Sequence, residues 1–208
     1  MHDNNLTNHS YNARHAWLRA GAYFAIGCAA GWYFGIVRKI VAEPFVTVPQ
    51  LGSATWWGLS IFVSVYVLFA YGWYWPRGTV THGRPRRLFA GLIFGGLWGF
   101  CQGLLMLAVY ALIVSFDYST VFNVVLMFLV WSTWTALWHS RYWDIKIAPE
   151  HNIAEWNLRK VLVAHAPFLL LCVTHYALFS NAALYVLWQV IALTASTLAM
   201  RFPAPHDD

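Results

Sequence analysis

The chain has 208 residues, 60% of them hydrophobic and only 10% charged, with a mean hydropathy of +0.51. A soluble domain carries roughly a quarter charged residues, so this composition predicts a membrane protein and leaves no length for a separate soluble domain. The net charge of +5 and the pI near 9.2 do not point to nucleic acid. The basic residues stand at the ends of apolar runs, where they report topology and attract anionic lipid headgroups.

Residues 1–16 form a polar tail rich in Asn and His, without the basic region and small-residue cleavage site of a secretory signal. Six apolar runs follow, at 17–37, 56–75, 88–114, 121–138, 161–178 and 182–200. Each is close to the length a helix needs to cross ~30 Å of hydrocarbon. The predicted fold is therefore all-α: a polytopic six-transmembrane-helix bundle forming one domain over residues 17–200. Trp56, Trp57, Trp73 and Trp75 bracket the second run as an interfacial belt. The last two runs are joined by Phe179, Ser180 and Asn181 alone, which predicts an antiparallel hairpin. Cys28, Cys101 and Cys172 all fall inside apolar runs, which speaks against disulfides.

Orientation follows from the Lys and Arg positions. One side receives Arg14, Arg19, Arg77, Arg84, Arg86, Arg87, Arg141, Lys146, Arg159, Lys160 and Arg201; the other receives only Arg38 and Lys39. Positive residues stay inside, so both termini, loop 139–160 and the short tail 201–208 are expected on the cytoplasmic face of the cell membrane. The loop at 38–54 contains Pro44 and Pro49, which argue against a regular helix; an interfacial loop is expected, with a segment dipping back into the bundle as the alternative.

Gly91, Gly95, Gly99 and Gly103 recur every four residues in the third run, and Gly27, Gly31 and Gly35 do so in the first. Residues four apart share a helix face, and a glycine face lets a second backbone approach closely. The expectation is that the first and third spans pack together.

Chemistry is expected in the polar stretch 138–165. Pro149 and Glu150 suit a helix start, and from there His151, Glu155, Leu158, Leu162 and His165 are spaced as one face running into the fifth span. His151 and Glu155 lie four apart and could share a divalent metal or act as an acid–base pair. His139 and Asp144 would complete the catalytic set, and His165 the metal set. Arg141, Arg159 and Lys160 would hold an anionic headgroup. Ion pairs of Glu155 with Arg159, and of Asp144 with Arg141 or Lys146, are the structural alternative.

His151 and His165 are separated by thirteen residues ahead of a span. That spacing resembles the copper-site histidines in the third subunit of particulate methane and ammonia monooxygenases. The resemblance covers two positions, and Ile147 stands where that family has an asparagine.

Within the membrane, His175 is expected to be buried and bonded to a neighbouring helix, on one seam with His165, Phe168 and Cys172. Gln102, Asn123 and Gln189 are expected to make helix-to-helix hydrogen bonds. No Asp or Glu lies mid-span, which argues against a proton-coupled carrier. No Gly-x-Ser-x-Gly turn supports a serine hydrolase. The expected function is a membrane enzyme acting on a lipid-soluble substrate at the cytoplasmic interface. The alternatives are a non-catalytic subunit held by a partner membrane protein, or a homo-oligomeric channel or carrier.

Overall fold

The computed structural model describes residues 13–43, 45–77, 79, 85–141 and 158–201, with the backbone alone at 13–17, 19 and 136–141. Eight helices account for nearly all of them: α1 (Ala13–Tyr33), α2 (Ile36–Ala42), α3 (Val48–Leu51), α4 (Ala54–Arg77), α5 (Leu88–Val114), α6 (Thr120–Arg141), α7 (Leu158–Phe179) and α8 (Ala182–Ala199). There are no strands among the described residues. Helices α4, α5, α7 and α8 are long and apolar enough to cross a membrane, and α1 with α2 makes a fifth candidate if the broken pair is one span. The described apolar part of α6, Thr120–Thr135, is shorter. The class is thus an all-helical protein with four to five candidate membrane-spanning helices. Exposed Ile61, Phe62, Val65, Leu68 and Phe69 on α4 suit contact with lipid.

The first predicted span is not one straight helix. It bends by 70° between Tyr33 and Ile36. Gly35 sits at the bend with φ 71, a left-handed conformation that favours glycine. Gly35 is therefore the break in the helix, not the third member of a packing ridge. The proline-bearing loop also differs from expectation, because it forms the short helices α2 and α3. Pro49 lies in the first turn of α3, where its missing N–H costs nothing, and Thr47 and Gln50 cap that turn reciprocally.

The glycine ridge of α5 faces α8, not α1. A Cβ on Gly91, Gly95, Gly99 or Gly103 would meet Leu198, Thr194, Val190 or Val186 in turn. The partners step back by four as the glycines step forward by four, as two antiparallel helices require. At Gly95 the added carbon would lie 2.5 Å from Thr194 Cα, and at Gly99 2.6 Å from the Gln189 carbonyl oxygen. Helix α1 lies on another side of α5, with Gly27 against Cys101 and Gly31 against Leu104. In lipid such close backbone approach is the main source of helix association.

Two stretches depart from the α-helix. Residues 68–74 of α4 and 161–165 of α7 are π-helical, and they touch each other. Each wide turn adds a residue and rotates the face that follows. Leu158 and Leu162 are exposed, whereas His165 is buried. The single face predicted to run through Leu158, Leu162 and His165 is broken by that turn.

Candidate functional site

The two π-helical stretches meet at one end of the bundle, where Arg77, Arg86, Arg87, Arg159, Lys160 and Arg201 also gather at helix ends. Pro167 has no N–H to offer the Val163 carbonyl, four residues earlier. The Tyr66 hydroxyl, on α4, donates to that carbonyl instead. One turn further on, Tyr71 OH and His165 Nδ1 lie 3.1 Å apart and share a hydrogen bond. Both side chains are buried. Tyr71 stacks on Trp75 with ring centroids 5.7 Å apart, and Phe168 meets it edge-on at 5.1 Å. Lys160 Nζ lies 4.7 Å over the Trp75 ring and donates to Thr79 Oγ1 at 3.3 Å. A cation, an indole, a phenol stacked on that indole and an imidazole therefore form one column between α4 and α7. A phenol hydrogen-bonded to an imidazole can pass a proton to or from a bound molecule.

Beside this column, a cleft of about 740 Å³ opens between α4, α5 and α8. Its wall includes Tyr71, Gly72 and Pro76 from α4, Arg86, Arg87 and Leu88 from the start of α5, and Leu198 and Arg201 from the end of α8. That volume is in the range of small-molecule sites. Arg201 holds a left-handed backbone, φ 51, at a helix C-terminal position that glycine usually takes.

Of the expected site residues, His165, Arg159 and Lys160 are described. His165 is paired with Tyr71 rather than exposed at an interface. Lys160 is buried against Trp75, and Arg159 is exposed. His151, Glu155 and Asp144 lie outside the described residues, as do the side chains of His139 and Arg141. Among the described residues, no three or more His, Cys, Asp and Glu side chains gather as a metal site. Tyr71, Arg86, Arg87 and Arg201 were not singled out as site residues from sequence. A signal for the column existed in Pro167, since a proline inside a span demands a substitute donor from a neighbouring helix.

At the opposite end, His175 is fully buried. Its Nε2 lies 2.8 Å from Ser60 Oγ, and its ring meets Trp188 at 4.7 Å and Phe179 at 5.0 Å. His175 Nδ1 has no hydrogen-bond partner among the described residues. The tautomer protonated on Nε2 leaves no buried N–H unpaired, so the imidazole donates to Ser60. A serine that accepts this bond is not being activated as a nucleophile, and the pair is a helix-to-helix contact, as expected. His165, Phe168, Cys172 and His175 are all buried. Gln102 donates to Gln189 at 3.5 Å, joining α5 to α8. Asn123 departs from expectation: it donates to the Tyr118 carbonyl and closes the turn that begins its own helix.

Comparison with protein-family models, with curated proteins and with solved structures finds no match for this chain.

Proposed function

We propose that the protein is a multi-pass membrane enzyme that acts on a lipid-soluble substrate at the basic end of its helix bundle. The observation that carries this reading is the Tyr71–His165 pair, held between two π-helical turns and adjoining an arginine-lined cleft. π-helical turns disturb the regular ladder and are frequent at functional sites. A substrate dissolved in the bilayer can reach the cleft past Leu88, which is exposed, without leaving the apolar phase. Tyr71 and His165 then serve as the acid–base groups, with His151, Glu155, His139 and Asp144 as the polar groups supplied by the connecting segment. By the positive-inside rule this end faces the cytoplasm of the cell membrane.

The test uses the protein in nanodiscs made from host lipids. Lipid species that change in mass or abundance during incubation are followed by mass spectrometry. Tyr71→Phe and His165→Gln should abolish the change while both variants remain folded. Conversion that survives in both variants removes the pair from the chemistry. A non-catalytic subunit is the second reading, favoured by the exposed aromatic residues Trp32 and Tyr33 beside the α1 break, a face a partner helix would cover. Stoichiometric co-purification of a second membrane protein, with no lipid conversion, would select it.

A further inference from the structure

We propose that Cys28 and Cys101 form a redox site facing lipid: peroxyl radicals dissolved in the bilayer take the two thiol hydrogens, and the disulfide left behind pins α1 to α5. The site stands apart from the Tyr71–His165 column and does not depend on the enzyme reading.

A glycine builds the site. A Cβ on Gly27 would lie 2.5 Å from the Cys101 carbonyl oxygen, so any side chain there would push α1 away from α5. The close approach brings the neighbouring Cys28 Sγ to 3.5 Å from Cys101 Sγ, within reach of a thiol–thiol hydrogen bond. The place of both cysteines in apolar runs argues against a resting disulfide, and both are free thiols. They differ in access. Cys101 is buried, whereas Cys28 is exposed and shares a helix face with exposed Ala25, Ala29 and Trp32. Cys101 stands thirteen residues from each end of Leu88–Val114, or ~20 Å of helix on either side. The pair is therefore at mid-depth of a candidate span, where a membrane is hydrocarbon.

That depth selects the chemistry. Apolar surroundings disfavour the thiolate through which ionic oxidants act. Transfer of a hydrogen atom needs no ionisation. One peroxyl radical takes the hydrogen of Cys28 and becomes a hydroperoxide. A second takes the hydrogen of Cys101, which reaches it through the Cys28 sulfur. The two thiyl sulfurs then combine, closing from 3.5 Å to the ~2.05 Å of a disulfide. Two peroxyl radicals and two thiols thus give two hydroperoxides and one disulfide, so hydrogens and electrons balance. Cys172, on α7, is fully buried and has no such access. Because α1 bends away by 70° after Tyr33, the new bond fixes the part of α1 that precedes the break.

The experiment places the full chain in nanodiscs of saturated phosphatidylcholine, in air, with a lipid-soluble azo initiator that releases peroxyl radicals inside the bilayer. A dicationic, water-soluble initiator is used in parallel at equal radical flux. Cysteine peptides are followed by mass spectrometry without reduction. The Cys28–Cys101 link should form at least about tenfold faster with the lipid-soluble initiator, because oxidation follows access. Cys172 should remain a free thiol. Cys28→Ser should leave Cys101 reduced, since the exposed thiol is the entry point. Cys101→Ser should let Cys28 oxidise to sulfur oxyacids, with no link inside the chain.

Equal linking by the two initiators would overturn the lipid-side assignment. Oxidation of Cys172 as fast as Cys28 would mean that neither access nor pairing matters, and would also overturn it. A folded wild-type protein whose Cys28 and Cys101 stay reduced under the lipid-soluble initiator would show that the two thiols only fill space. If diamide links the pair in that same protein, the helix contact stands and the radical chemistry alone falls.

Discussion

His165 and His175 lie ten residues apart on α7, both buried, yet they inhabit different ends of the bundle. The His175 end is closed. The Trp188 indole donates to Ser64 at 3.0 Å, and Ser64 donates to the Ser60 carbonyl. Gln50 donates to the Phe179 carbonyl at 3.2 Å, and Asn181 to the Phe45 carbonyl at 2.7 Å. Lys39 Nζ lies 4.0 Å from Glu43. These polar groups have short-range or cross-helix partners, while Trp56 Nε1, Asn123 Oδ1 and His175 Nδ1 have no hydrogen-bond partner among the described residues. The His165 end is built from two π-helical turns, a proline whose missing donor is replaced by a tyrosine, and an arginine-lined cleft. Two histidines on one apolar helix thus stand in opposite surroundings, and the proposed difference in their roles follows from those surroundings.

The largest expected effect comes from the frame that both ends share. Gly99→Leu would drive a side chain into the α8 backbone, so folded protein should not accumulate, as read by fluorescence-detected size-exclusion chromatography. A Gly99→Leu variant that elutes as a normal folded peak would show that α5 and α8 do not hold the two ends in place. Next comes the closed end. His175→Ala removes the bond to Ser60 and the ring packing with Trp188 and Phe179, and should cost about 3 kcal/mol in a detergent unfolding titration. Lipid conversion by the fraction that folds should be unchanged. Loss of conversion there would erase the contrast between the two histidines.

Tyr66→Phe leaves the Val163 carbonyl without its hydroxyl donor and should cost about 1–2 kcal/mol. Because that bond braces the π-helical turn carrying His165, lipid conversion should fall more than the stability loss explains. An effect on stability alone would make the turn a packing feature. The smallest energetic effect is expected at α1. Cys28 Sγ and Cys101 Sγ lie 3.5 Å apart as free thiols. Diamide, a two-electron oxidant, should join them, and mass spectrometry of cysteine peptides should show the linked pair. Free thiols after treatment would mean that α1 does not rest on α5 as described.

Much of the frame could be read from the residues in order. The run at 88–114 is the helix Leu88–Val114, and the hairpin residues Phe179, Ser180 and Asn181 stand where the turn falls. The glycine spacing announced the contact of the first run with the third, where Gly27 and Gly31 meet α5, but not that the ridge of α5 meets α8, because which helix covers a ridge depends on the arrangement of the whole bundle. Gly35 fits the same four-residue spacing, and only its positive φ separates a hinge from a ridge. The line from Leu158 to His165 failed because an ideal helical period cannot anticipate a π-helical turn. Arg86, Arg87 and Arg201 were counted for orientation, since a charge tally does not reveal which loops meet. Tyr71 carried no mark of its own among eleven tyrosines. His175 was readable because a lone histidine deep in an apolar helix must find a polar partner on a neighbour.

The decisive measurement replaces each histidine with glutamine and follows lipid conversion per folded molecule in host-lipid nanodiscs. His165→Gln should abolish conversion and His175→Gln should preserve it. Equal rates in the two variants, or loss confined to His175→Gln, would contradict that expectation.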